Sequence, residues 1–161
     1  MSSEFEKLLH PTALYRDFLA APERVREFYP ADFRDSKALA VRAAARDYPA
    51  PRRAAVAAIL RRQAEGWGIG AASHEALARF ERPDAIVVAA GQQPGLFGGP
   101  LYSLYKAFTA AALARAIEAA SGRPVVPVFW IASDDHDFEE VRRTYLSDGG
   151  AEPDLLDPGD P

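Results

Sequence analysis

The chain has 161 residues, 48% of them hydrophobic and 26% charged, ordinary usage for a globular domain with one hydrophobic core. A net charge of −4 gives no electrostatic case for nucleic acid or an anionic membrane, and the absence of cysteine excludes disulfides, thiolate metal sites and a thiol nucleophile. The first residues, MSSEFEKLLHP, lack the basic and apolar regions of a signal peptide, and no apolar run nears the roughly 20 residues of a membrane span, so the expected compartment is the cytoplasm.

Residues 1–83 read as a helical N-terminal segment. Pro11-Thr12 opens a short helix with Leu14, Tyr15, Phe18 and Leu19 at helical spacing. Pro22 and Pro30 punctuate the next stretch, where Val25, Phe28 and Tyr29 are the expected buried contacts. Ser36 is the expected cap of a helix over 37–48, closed by Pro49. A further helix over 51–65 is expected to turn Ala55, Val56, Ile59 and Leu60 inward and Arg52, Arg53, Arg61 and Arg62 to solvent, a hydrated face rather than a phosphate site. Gly66, Gly68 and Gly70 break the chain, and Ser73 is the expected cap of a last short helix that ends at Phe80, before Pro83. His10 and His74 sit in contexts that suggest structural or surface roles.

From residue 84 the period changes. The run 86–90 is continuous, apolar and rich in β-branched residues, as in a strand buried on both faces. Leu101, Leu104, Tyr105, Phe108, Ala112 and Ile117 recur at helical spacing, and Gly122 followed by Pro124 marks the helix end. A second strand spans 125–132, where Pro127 cannot donate to a ladder and argues for an edge or a bulge. Shared membership of one sheet implies parallel pairing through a right-handed crossover. After Arg143 the pattern fades into a stretch rich in Asp, Gly and Pro. The fold class is therefore α/β, and two parallel strands alone make no stable sheet, so the domain reads as incomplete at its C-terminus.

Two clusters carry chemistry. The loop from Gly91 to Pro100 joins the first strand to the helix, and its glycines, Gly95 and Gly99 among them, allow close approach to a ligand where a helix N-terminus favours an anion. Gln92 and Gln93 suit the orientation of a polar substrate. Tyr102 and Lys106 are four apart, on one helical face, where the lysine can meet a carboxylate or phosphate. The plainer alternative is a tight turn with a solvated lysine. The loop has neither the Gly-Lys-Ser/Thr of a P-loop nor a G-x-G-x-x-G fingerprint, which weakens simple NTPase and dehydrogenase readings.

The second cluster, Asp134-Asp135-His136-Asp137 with Glu139 and Glu140 behind it, follows the second strand. Carboxylates around one imidazole suit a hard divalent cation or acid–base work, and an acid at a strand end suits a ribose hydroxyl. Helix capping is the alternative, with Asp137 and Glu140 spaced as a capping box. Capping accounts for one or two carboxylates and leaves a crowd of like charges, for which Lys106 is the candidate partner.

The segments GQQPGLFGGPLYSLYKA, PVVPVFWIASDDHDFEE and LYRDFLAAPERVREFYP resemble the cysteine ligase of bacillithiol biosynthesis, the bacillithiol cysteine-adding enzyme family. The resemblance is specific in Gln92-Gln93, Gly99-Pro100-Leu101-Tyr102, Lys106 and Asp135 to Glu140, and it runs over essentially the whole chain. It implies a Rossmann-like core related to nucleotidyltransferases, with residues 84–161 as its first strand–loop–helix–strand unit. It also implies connecting segments and a C-terminal coiled coil through which the full-length protein forms a homodimer. Family members are longer, so the chain corresponds to their N-terminal part. The implied reaction joins cysteine to glucosaminyl malate through an amide, the last step to bacillithiol.

On that reading Gln92, Gln93, Gly95, Gly99 and Tyr102 contact substrate, while Lys106, Asp135, His136 and Asp137 are catalytic. His136 orients or deprotonates the attacking amine, Lys106 offsets developing negative charge, and the glycine loop with its helix N-terminus holds an anionic group. The cofactor is unassigned, although carboxylate activation is required and ATP is its natural agent; no metal ligand is assigned. The rival readings are a metal-dependent nucleotidyltransferase, with Asp135 and Asp137 on Mg²⁺, and an inactive fragment or binding domain of a longer protein.

Overall fold

A computed structural model describes residues 12–134, 142–146, 154–157 and 159. The chain divides into two units, 1–46 and 47–161.

In the first unit, α1 (Ala13–Ala20) is capped by Thr12, whose hydroxyl accepts the Tyr15 N–H at 3.3 Å. A 3₁₀ turn (Pro22–Val25) and α2 (Ser36–Ala44) follow. The cap of α2 is Asp35 rather than Ser36: its carboxylate accepts the Ala38 N–H at 3.0 Å and opposes the positive end of the helix dipole. The helix stops at Ala44, short of the expected Tyr48. Val25 is buried, but Phe28 is 68% exposed. Phe18 supplies the aromatic contact instead, with ring centroids 4.8 Å from both Tyr29 and Phe33.

The second unit contains α3 (Ala50–Trp67), α4 (Ala71–Phe80), β1 (Ile86–Gln92), a 3₁₀ turn (Leu96–Gly98), α5 (Leu101–Ser121), β2 (Val125–Ile131), β3 (Thr144–Leu146) and β4 (Asp154–Leu156). Strands β1 and β2 pair directly and in parallel, from Ile86 opposite Val125 to Gln92 opposite Ile131. The register runs through Pro127 without a bulge, as at an edge where a missing N–H breaks no ladder. The short antiparallel pair β3–β4 gave no sequence signal. Gly70, not Ser73, precedes α4, and no side chain caps that helix.

One side of the sheet packs on α3 and α4, with Ala57, Ala64, Leu77, Phe80 and Val126 as the buried centre. The other side carries α5, which packs on both strands and buries Ser103, Ala110, Ala114 and Ile117. Small side chains let the helix approach the sheet closely. They displace the expected stripe, so Leu101, Leu104, Tyr105 and Phe108 are exposed. Nor is β1 buried on both faces: Val87 is 40% exposed, because α4 packs against β2 on that side.

Arg53 is the largest departure. It is 6% exposed rather than solvated, on the same face of α3 as Ala57 and Ala64, while Ala55 and Ile59 are exposed. Its guanidinium donates to Phe80 O at 2.8 Å and Ala85 O at 3.0 Å, and lies over the Tyr48 and Phe80 rings. Phe80 O is an orphan carbonyl at the end of α4, where a cation also suits the dipole. One side chain thus ties the end of α4 to the start of β1. Beside it, Arg123 donates to Asp84 O at 2.7 Å, and Glu118 accepts the Val125 N–H at 2.9 Å while pairing with Arg79. The N-terminal ends of both strands are therefore fixed, and among the described residues their C-terminal ends form the open edge.

Candidate functional site

At that open edge the chain gathers Gln92, Gln93, Tyr102 and Lys106. Gln92 is the last residue of β1, and Tyr102 and Lys106 lie in the first turns of α5. Lys106 Nζ is 2.6 Å from Gln92 Oε1 and 3.4 Å from Gly91 O. An ammonium only donates, so it fixes the amide: oxygen toward Lys106, nitrogen toward Gln93 Oε1 at 2.9 Å and Tyr102 Oη at 3.1 Å. Tyr102 accepts in this contact, which leaves its own proton to donate elsewhere. The ammonium is 5.1 Å from the Tyr102 ring centroid, within cation–π range. Among the described residues Lys106 pairs with no carboxylate. It is exposed, as is Tyr102.

The end of β2 closes on the same place. The Ala132 N–H donates to Gln92 O at 3.0 Å, and the acidic cluster begins at Asp134, which is exposed. Asp135, His136 and Asp137 lie outside the described residues, as do Phe138, Glu139 and Glu140. No group of three His, Cys, Asp or Glu side chains suited to a metal occurs among the described residues.

Gly95 and Gly99 cross at close range: a Cβ on Gly95 would stand 2.7 Å from the Gly99 Cα. Gly99 has φ 76° and ψ −162°, a region that an L side chain does not tolerate, and Phe97 between them has φ 53°. The loop therefore depends on its glycines for shape.

Two features escaped the sequence reading. Ser103, on the inner face of α5, is 5% exposed and its hydroxyl has no hydrogen-bond partner among the described residues. Trp130, read only as part of an apolar run, lies against Gly91, where a Cβ would meet the Trp130 Cβ at 3.2 Å. The glycine opposite a tryptophan in a parallel register was the available signal. Two clefts, of about 330 and 220 Å³, lie elsewhere: one on α3 beside Arg61 and Glu81, the other between α3, α4 and β2. Among the described residues the polar cluster thus lines neither cleft.

A family model described as "Bacillithiol biosynthesis BshC, N-terminal Rossmann-like domain" matches residues 1–155. The chain belongs to this family. Its parallel strand pair is part of a Rossmann-like α/β fold, and ligands of such sheets bind outside the carboxyl ends of the strands, where Gln92 and Asp134 stand. Curated relatives carry the name "Putative cysteine ligase BshC". That of Solibacter usitatus is 38% identical over 150 residues, covering 93% of this chain and 27% of the relative. That of Salinibacter ruber is 40% identical over 134 residues, 83% of this chain and 24% of the relative. That of Heliobacterium modesticaldum is 42% identical over 136 residues, 78% and 24% respectively. The chain spans about a quarter of the length of these relatives. No helix among the described residues is long and apolar enough to cross a membrane.

Proposed function

We propose that this chain is the N-terminal portion of a carbon–nitrogen ligase that joins cysteine to glucosaminyl malate, forming bacillithiol, with its site at the carboxyl ends of β1 and β2. The observation that carries the reading is the Gln92 amide, held at a strand end by Lys106, Tyr102 and Gln93 in a BshC-family chain. A carboxylate oxygen is a poor leaving group, so cysteine's carboxylate must first be activated, and ATP is the natural agent. The sugar amine then attacks the activated carbonyl carbon. The C–N bond forms, the leaving group departs with its electron pair, and the amine loses a proton.

Within that reaction Gln92, Gln93 and Tyr102 orient substrate, while Gly95 and Gly99 shape the loop around it. Lys106 offsets the negative charge that develops on oxygen as the carbonyl is attacked. His136 takes the amine proton, and Asp135 and Asp137 set its tautomer and stabilise its charged form. The same reading puts the enzyme in the cytoplasm and makes the full-length protein a homodimer through its coiled coil.

The test is incubation of the intact purified protein with cysteine, glucosaminyl malate and ATP, followed by mass detection of bacillithiol. Product that forms with the parent protein and disappears with His136→Ala supports the assignment. Product unaffected by that change contradicts it.

A further inference from the structure

We infer that the N-terminus of α5 is an anion subsite in which Ser103 Oγ is a buried donor, beneath the Gly98–Gly99 turn. The inference rests on the ligase reading and deepens it by naming the group that receives a carboxylate or phosphate oxygen of the ligand. α5 has 21 residues, and no side chain caps its N-terminus. Pro100 precedes it, so the N–H groups of Leu101 and Tyr102 have no acceptor within the helix, while the Ser103 N–H bonds Pro100 O at 2.8 Å. Such a terminus attracts anions in general. What makes this one particular is Ser103, which is 5% exposed and has a hydroxyl with no partner among the described residues. Buried hydroxyls are rarely left unpaired, so an exception calls for an explanation, of which a ligand acceptor is one.

The hydroxyl points toward the loop. A Cβ on Gly99 would stand 3.6 Å from Ser103 Oγ, 3.7 Å from Gly95 Cα and 4.0 Å from Gly95 N. With no side chain on Gly99, loop backbone covers the hydroxyl, and an anion oxygen reaches it once that backbone moves. Entry requires the Gly98–Gly99 peptide to shift, and two glycines with φ 92° and 76° are suited to absorb that movement. Lys106, on the turn after Ser103, adds positive charge near the same end of the helix.

The test is calorimetric titration of the intact protein with inorganic phosphate and, separately, with malate, for the parent and Ser103→Ala. Thermal melting of both ligand-free proteins accompanies it. The expected result is binding of at least one anion, weakened about tenfold or more by Ser103→Ala, with a ligand-free Tm unchanged or raised because an unpaired buried hydroxyl is gone. Phosphate binding alone points to a nucleotide, malate binding alone to the acid portion of the substrate. No anion binding, affinity unchanged in the variant, or a lowered ligand-free Tm overturns the inference. Bacillithiol synthesis that needs Lys106 while anion affinity ignores Ser103 removes the subsite and keeps the ligase. Ser103-dependent binding with no bacillithiol synthesis by the parent protein does the reverse.

Discussion

Lys106 Nζ and Gln92 Oε1, from a helix and the strand before it, stand 2.6 Å apart and tie the start of α5 to the carboxyl end of β1. The contact crosses the glycine loop, so it sets the geometry of the loop mouth as well as the charge beside it. Because Gln92 also donates to Gln93 and Tyr102, one amide organises three other side chains.

Gln92→Leu removes the acceptor that orients Lys106 and the donor to Tyr102. The expected outcome is a fall in ligase turnover of about 100-fold, the usual scale for a lost group that stabilises developing charge. Lys106 and Tyr102 are exposed, so denaturant unfolding is expected to show a change below about 1 kcal/mol. A stability loss that matches the activity loss would make the contact structural.

Arg53→Met leaves Phe80 O and Ala85 O buried without their donor, and the expected cost is about 2–4 kcal/mol in denaturant unfolding of the intact protein. Arg53→Lys recovers only part of this, since an ammonium lacks the fork that reaches both carbonyls. Full recovery by lysine would show that charge rather than fork geometry is what α4 and β1 require.

The glycines divide by position. Gly99→Ala is expected to cost about 1–3 kcal/mol, because its φ of 76° with ψ of −162° excludes a side chain. Gly66 lies inside α3 with nothing within 4 Å of an added Cβ, so Gly66→Ala is expected to stabilise by about 0.5–1 kcal/mol. Thermal melting of both variants checks the opposite signs.

Acid sensitivity follows from two exposed pairs. The hydrogen bond from Arg61 holds the Glu81 carboxyl below its ordinary range, and that from Arg82 does the same for Asp84. A depressed folded pKa contributes stability above the unfolded value, near pH 4, and that contribution is lost as pH falls through the lower folded value. Melting followed from pH 6 to pH 3 at low salt is therefore expected to fall less steeply in Glu81→Gln than in the parent. Equal slopes would mean that the pair adds nothing to stability, as for many surface pairs.

Both strands of the parallel pair were legible, because their β-branched runs are bounded by turn residues, and Gly122 with Pro124 marked the end of α5. The four-residue spacing of Tyr102 and Lys106 placed them on one face, but the Gln92 acceptor lies across a loop that spacing alone cannot fold. Amphipathic pattern failed where a polar group is buried for its hydrogen bonds, as with Arg53. It failed again where close approach selects small residues: Ala110 and Ala114 lie inward while Phe108 is 69% exposed. Thr144–Leu146 and Asp154–Leu156 were too short to carry a period.

The most direct measurement is the thiol profile of cells whose sole copy of the intact protein carries Lys106→Met. Bacillithiol is expected to fall at least about 100-fold while glucosaminyl malate accumulates and the protein level holds. Normal bacillithiol with the variant at parental level would contradict the assignment of the strand-end cluster as the ligase site.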